Sequence, residues 1–160
     1  MHPDVFRKVV WEEMLYAQMR SNYFAELVRH YMNWDKGLRV LALVASSGVV
    51  ATVLSNASAE ILKFGVPIIA VAISFWLLLS QYTSMARDAS DLHSGWSAAA
   101  HEYEGVWTNL DAANAQATYQ QIYDRAEALS RSGAKFPNKT DRLTYWLDQA
   151  ATLTMARYAH

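Results

Sequence analysis

Five histidines, His2, His30, His93, His101 and His160, are the side chains of this 160-residue chain best suited to acid–base or metal chemistry, because it has no cysteine. His30 lies one helical turn from Glu26, and His101 lies three residues before Glu104. Were the two segments to pair as helices, two imidazoles and two carboxylates would offer a metal site of the helical-bundle type. That motif uses Glu-x-x-His, whereas the orders here are Glu26-x-x-x-His30 and His101-x-x-Glu104. The groups therefore read as polar contacts or solvated side chains, with no metal expected. His93 and His101, eight residues apart, are of the type that titrates near neutral pH. No glycine-rich phosphate loop, HExxH or Ser/His/Asp order stands in the chain, so no catalytic residue, enzyme activity or cofactor is predicted. A net charge of −1 provides no basic field for nucleic acid, and none is expected as a partner.

The elements that must carry these residues are set by two apolar stretches four residues apart. Residues 64–86 run 23 residues without a charge, and residues 40–59 run 20 with a more polar far end. About 20 apolar residues cross the hydrocarbon of a bilayer, so the expectation is a two-span hairpin, with a pair of core helices in a soluble bundle as the competing reading. The mean hydropathy of −0.04 then averages two oily spans with long polar arms. Arg29, Lys36 and Arg39 precede the first stretch and Arg87 closes the second, while the connection holds only Lys63. Positive-inside bias keeps both termini in the cytoplasm. Tyr31, Trp34 and Tyr82 fall at the headgroup level, as aromatic belts do. The N-terminus mixes charges before any apolar run and lacks a small-residue cleavage site, so no secretory signal is predicted.

Both arms read as helices, in an all-α chain without strand patterns. Between Asp4 and Lys36 no Pro or Gly intervenes, and Val9, Tyr16, Tyr23, Leu27, Tyr31 and Trp34 recur at helical spacing. After the second stretch Tyr82, Met85, Ala89, Leu92, Trp96, Ala99, Tyr103, Val106 and Leu110 alternate steps of three and four, the pattern of a packed seam. A hairpin would bring these arms together antiparallel, burying a cytoplasmic seam that includes Tyr16, Tyr23, Leu27, Tyr31, Leu92, Trp96 and Tyr103. Gly37 is the expected hinge between the first arm and its span. Residues 111–132 predict a further helix with Ala115, Tyr119, Ile122, Ala126 and Leu129 on one face. A loop over GAKFPNK follows, and then a last helix from Thr140 carrying Leu143, Trp146, Leu147, Ala150 and Leu153. The predicted organisation is residues 1–37, an amphipathic cytoplasmic helix; 38–86, a transmembrane hairpin; and 87–160, a cytoplasmic helical region.

Within the first stretch Ala45, Gly48, Thr52 and Ser55 share one face. Small residues let membrane helices approach, and hydroxyls bond across the contact, so this face either packs on the second span or forms a pore or oligomer face. Neither stretch holds a charged residue, which disfavours a proton relay or coupled transporter. Two spans cannot enclose water, so conduction would require a homo-oligomer.

The arrangement of RKVVWEEMLYAQMRSNYFAELVRHYMNWDKGL, a close apolar hairpin, DASDLHSGWSAAAHEYEGVWTNL and a short helical tail resembles the SLATT family, the SMODS- and SLOG-associating two-transmembrane effectors of bacterial conflict systems. The resemblance covers most of residues 5–130 and rests on architecture, without an invariant motif. It implies an antiviral defense effector in the bacterial inner membrane that oligomerises and forms a pore, or otherwise disrupts the bilayer. The trigger it implies is a sensor or activator partner, often through a nucleotide signal. The family brings no catalytic residues. No nucleotide-recognising domain is legible beside the hairpin, which leaves a partner protein or a small ligand of the cytoplasmic helices as the trigger. The alternative is a non-conducting membrane-anchored helical scaffold that recruits cytoplasmic partners.

Overall fold

A computed structural model describes residues 2–46, 72, 76 and 81–158, with side chains 44–46 left aside. Four continuous helices lie among these residues, α1 (Pro3–Ser46), α2 (Tyr82–Thr108), α3 (Ala115–Gly133) and α4 (Thr140–Tyr158), and residues 72 and 76 are helical as well. Helix covers 89% of the described residues, and no strand occurs among them. They divide into two compact units, residues 1–27 with 88–160, and residues 28–87. The stretches expected to span a membrane lie largely outside the described residues. Among those described, no helix is long and apolar enough to cross a bilayer.

The first unit is a four-helix bundle, a fuller enclosure than the two-arm seam expected. Helix α1 starts at Pro3, whose missing N–H would have no partner in a first turn, and the amides of Val5 and Phe6 donate to the His2 carbonyl, each at 3.1 Å. Its inner stripe is Val10, Met14, Ala17, Ser21 and Phe24, steps of four and three, all buried. Helix α2 runs antiparallel to it, pairing Trp11 with Trp107 (4.9 Å), Tyr16 with Trp96 (5.7 Å) and Ser21 with His93. From α2, Ala89, Leu92, Trp96, Ala99, Tyr103 and Val106 are buried, the alternation seen in the sequence.

Helix α3 closes on α2 where glycine permits: a Cβ on Gly95 would sit 2.6 Å from Leu129 Cδ2. Its inner face is Ala115, Ile122 and Ala126. It begins four residues later than expected, because residues 109–114 form successive turns and the Asn109 amide donates to the Gly105 carbonyl at the end of α2. Gly133 ends α3 against Phe24, and the following loop buries Phe136 on the same ring, at 5.6 Å. Helix α4 starts at Thr140 with Asp141 in its first turn, which suits the helix dipole. Its buried residues are Ala150 and Thr154, while Leu147 and Leu153, placed on the inner face by hydropathy, are exposed.

In the second unit the tail of α1 meets the start of α2. Tyr31 and Tyr82 rings are 6.3 Å apart. Arg39 pairs with Asp35 at 3.0 Å, and the Thr83 hydroxyl donates to Asp35 at 3.1 Å. Beyond that polar layer Val40, Leu41 and Leu43 are 59%, 53% and 69% exposed. Gly37, the expected hinge, lies inside the unbroken helix α1, and a Cβ there would touch nothing.

Candidate functional site

Of the four residues weighed for a metal site, Glu26, His101 and Glu104 belong to the first unit and His30 to the second. Glu26 is taken by α4: Arg142 donates to it through Nε at 2.8 Å and also through the guanidinium terminus, and the Trp146 indole N–H donates at 2.7 Å. Glu104 is also taken by α4, through Arg157 and the Tyr158 hydroxyl at 2.9 Å. His101 is exposed, 3.7 Å from Glu104. His30 belongs to the second unit and stacks edge-on with Tyr31 and Trp34. Among the described residues no group of three His, Cys, Asp or Glu side chains is placed to hold a metal ion.

His93 makes a contact that sequence spacing did not indicate. Its Nδ1 lies 3.0 Å from the Ser21 hydroxyl and 2.9 Å from the Ser21 carbonyl. A serine and histidine at that distance have the separation of a nucleophile and its base. Here Ser21 is buried and the imidazole is engaged by backbone. The pair acts as a tie between α1 and α2.

Between α1, α2 and α4 lies a cleft of about 210 Å³ of mixed lining, with Gln18, Ser97, Glu104 and Arg157 beside Ala150 and Leu153. Thr154 donates to Gln18 at 2.8 Å across it. The cleft is smaller than the ~300–1,000 Å³ typical of ligand pockets, so it suits a small polar molecule better than a nucleotide. Helix α4 is thereby clamped by two glutamates, Glu26 on α1 and Glu104 on α2. Burial opposes ionisation of both. Hydrogen bonds from Arg142 and Trp146 at Glu26, and from Tyr158 and Arg157 at Glu104, outweigh it and hold both carboxyls below the usual value of 4.5.

A depressed folded-state pKa gives stability that is full above the unfolded value and is lost as pH falls through the folded one. The bundle should therefore weaken as pH falls below about 4.5. Glu26→Gln should cost about 1 kcal/mol at pH 7, below the roughly 1.5–3 kcal/mol of a hydrogen bond to a charged group because solvent screens this partly exposed pair. That deficit should shrink toward pH 3, as read by urea midpoints at both pH values. An equal deficit at both would show that the charge on Glu26 is not what fastens α4.

Of the expected seam, Tyr23, Leu27, Leu92, Trp96 and Tyr103 are buried, and Tyr16 and Tyr31 are half-buried. Tyr23 turns toward the loop before α4, where its hydroxyl donates to the Pro137 carbonyl. On the expected pore face, Ala45 lies in α1 without a described side chain, and Gly48, Thr52 and Ser55 lie outside the described residues. The role of α4 escaped the sequence reading. Its signal was Trp146, Arg142 and Arg157 on a helix of weak hydropathy. No family model, curated protein or solved structure matches the chain.

Proposed function

We propose that the chain is a membrane effector. Residues 40–59 and 64–86 insert as a hairpin in the bacterial inner membrane with both termini in the cytoplasm. When a sensor or activator engages the helical bundle, hairpins of several copies assemble into a leak. The observation carrying this reading is the exposed run Val40, Leu41 and Leu43 immediately past the Asp35–Arg39–Thr83 layer. Burial of each such side chain is worth roughly 1.5–3 kcal/mol, and a bilayer supplies that burial. The flanking Tyr31, Trp34 and Tyr82 are residues that favour the headgroup level. The architectural resemblance to SLATT effectors supports the class.

A non-conducting scaffold is the second reading. It is favoured by the lack of any charge in either stretch, which leaves a pore only hydroxyls and apolar constrictions. Dye-filled vesicles of phosphatidylethanolamine and phosphatidylglycerol separate the two. The effector reading expects release by the triggered protein, and its loss in Gly48→Leu with Thr52→Leu. Sealed vesicles under every trigger, with the double variant still active in cells, would sink the pore and leave the scaffold.

A further inference from the structure

On the bundle face formed by α1, α2 and α3, a second cleft of about 340 Å³ is lined by Glu12, Glu13, Tyr16, Trp96, Tyr123 and Glu127. That volume is within the range of small-molecule sites. Two of the carboxylates are already served: Lys8 lies 3.8 Å from Glu12 and Arg131 3.2 Å from Glu127, each one turn along its own helix. Arg20 lies over the Tyr16 ring at 5.1 Å.

Glu13 is different. It is half-buried, and among the described residues no basic group or hydrogen-bond donor is placed on it. Burial, together with the charge on Glu12, pushes its pKa up. A desolvated carboxylate among aromatic rings gains most from a cation brought from outside. Ring faces attract cations through their quadrupole, most strongly where water is excluded. A divalent metal requires several oxygen ligands in a shell, which aromatic walls do not provide.

We infer that this cleft binds an organic ammonium group, with Glu13 as counter-ion and the Tyr16 and Tyr123 rings as its aromatic walls over a buried Trp96. The rim carboxylates Glu12 and Glu127 favour a linear polyamine, whose further ammonium groups they would meet. A lysine side chain of another protein presents the same chemistry. The inference stands apart from the membrane reading, since every lining residue belongs to the bundle.

Calorimetric titration of the full chain, held in a maltoside detergent that carries no ammonium head, tests it with four probes. These are spermidine, tetramethylammonium, N-acetyl-lysine methylamide and magnesium. Saturable binding of the ammonium probes is expected. Glu13→Gln should weaken it about tenfold, the scale of one charge-assisted contact, with the circular dichroism unchanged. Tyr123→Leu, a change at an exposed ring, should weaken tetramethylammonium about fivefold. Tighter binding of the lysine mimic than of spermidine would make a protein side chain the source, and the reverse a free polyamine. Absence of saturable binding, undiminished affinity in Tyr123→Leu and in folded Glu13→Gln, or displacement by magnesium as readily as by spermidine would overturn the inference.

Discussion

Arginine at both Ala72 and Trp76 is expected to remove the protein from the carbonate-washed membrane fraction. The two positions are one helical turn apart, on one face, and both are exposed, Trp76 at 58%. In water, exchanges at such positions change stability by no more than about 0.5 kcal/mol. In the centre of a spanning helix each arginine costs roughly 2.5–3.5 kcal/mol, so the pair costs about 5–7 kcal/mol. An insertion equilibrium cannot absorb that. The same substitution is therefore nearly silent in one solvent and prohibitive in the other. A double variant that fractionates like the parent would mean that this face does not meet lipid.

Trp96→Ala should lower the stability of the bundle by about 3–5 kcal/mol, the cost of deleting a large buried aromatic. Trp96 is the largest fully buried side chain among the described residues, and it packs edge-on against Tyr16 of the neighbouring helix at 5.7 Å. On α2 it lies between Leu92 and Ala99, which are buried as well. Chemical denaturation followed by circular dichroism reads the loss, and Tyr123→Leu on the exposed rim provides a control. A loss under about 1 kcal/mol would mean that the cavity collapses at little cost.

Helix α2 was legible because its core positions are large or apolar at regular steps, so hydropathy and burial coincide from Ala89 to Val106. Helix α1 was legible as a helix, and its inner face only in part. Tyr23 and Leu27 of the expected face are buried and Val9 and Tyr16 half-buried, but hydropathy missed Val10, Met14, Ala17, Ser21 and Phe24, which complete the buried stripe. Ala17 and Ser21 are buried because α2 comes close enough for His93 to reach the Ser21 backbone, and closeness of that kind favours small residues that hydropathy ranks low. Helix α4 was legible from its start at Thr140, but the way it is fastened was not, for a related reason. Its attachment is by Glu26, Glu104 and a buried Thr154, polar anchors that no apolar periodicity reports. The Glu13 cleft was not legible either, since it requires three helices to bring Tyr16, Trp96 and Tyr123 together.

The absence of cysteine permits the most direct measurement, a single nitroxide attached to Ala72→Cys in the full chain reconstituted into liposomes. Collision rates with dissolved oxygen, which concentrates in hydrocarbon, are compared with those of a water-soluble nickel chelate. The account predicts oxygen collisions well above nickel collisions at this site, with the order reversed for a label at exposed Asp141. Nickel access at Ala72→Cys equal to that at Asp141→Cys would contradict it, because water, and not lipid, would then be the solvent of the second apolar stretch.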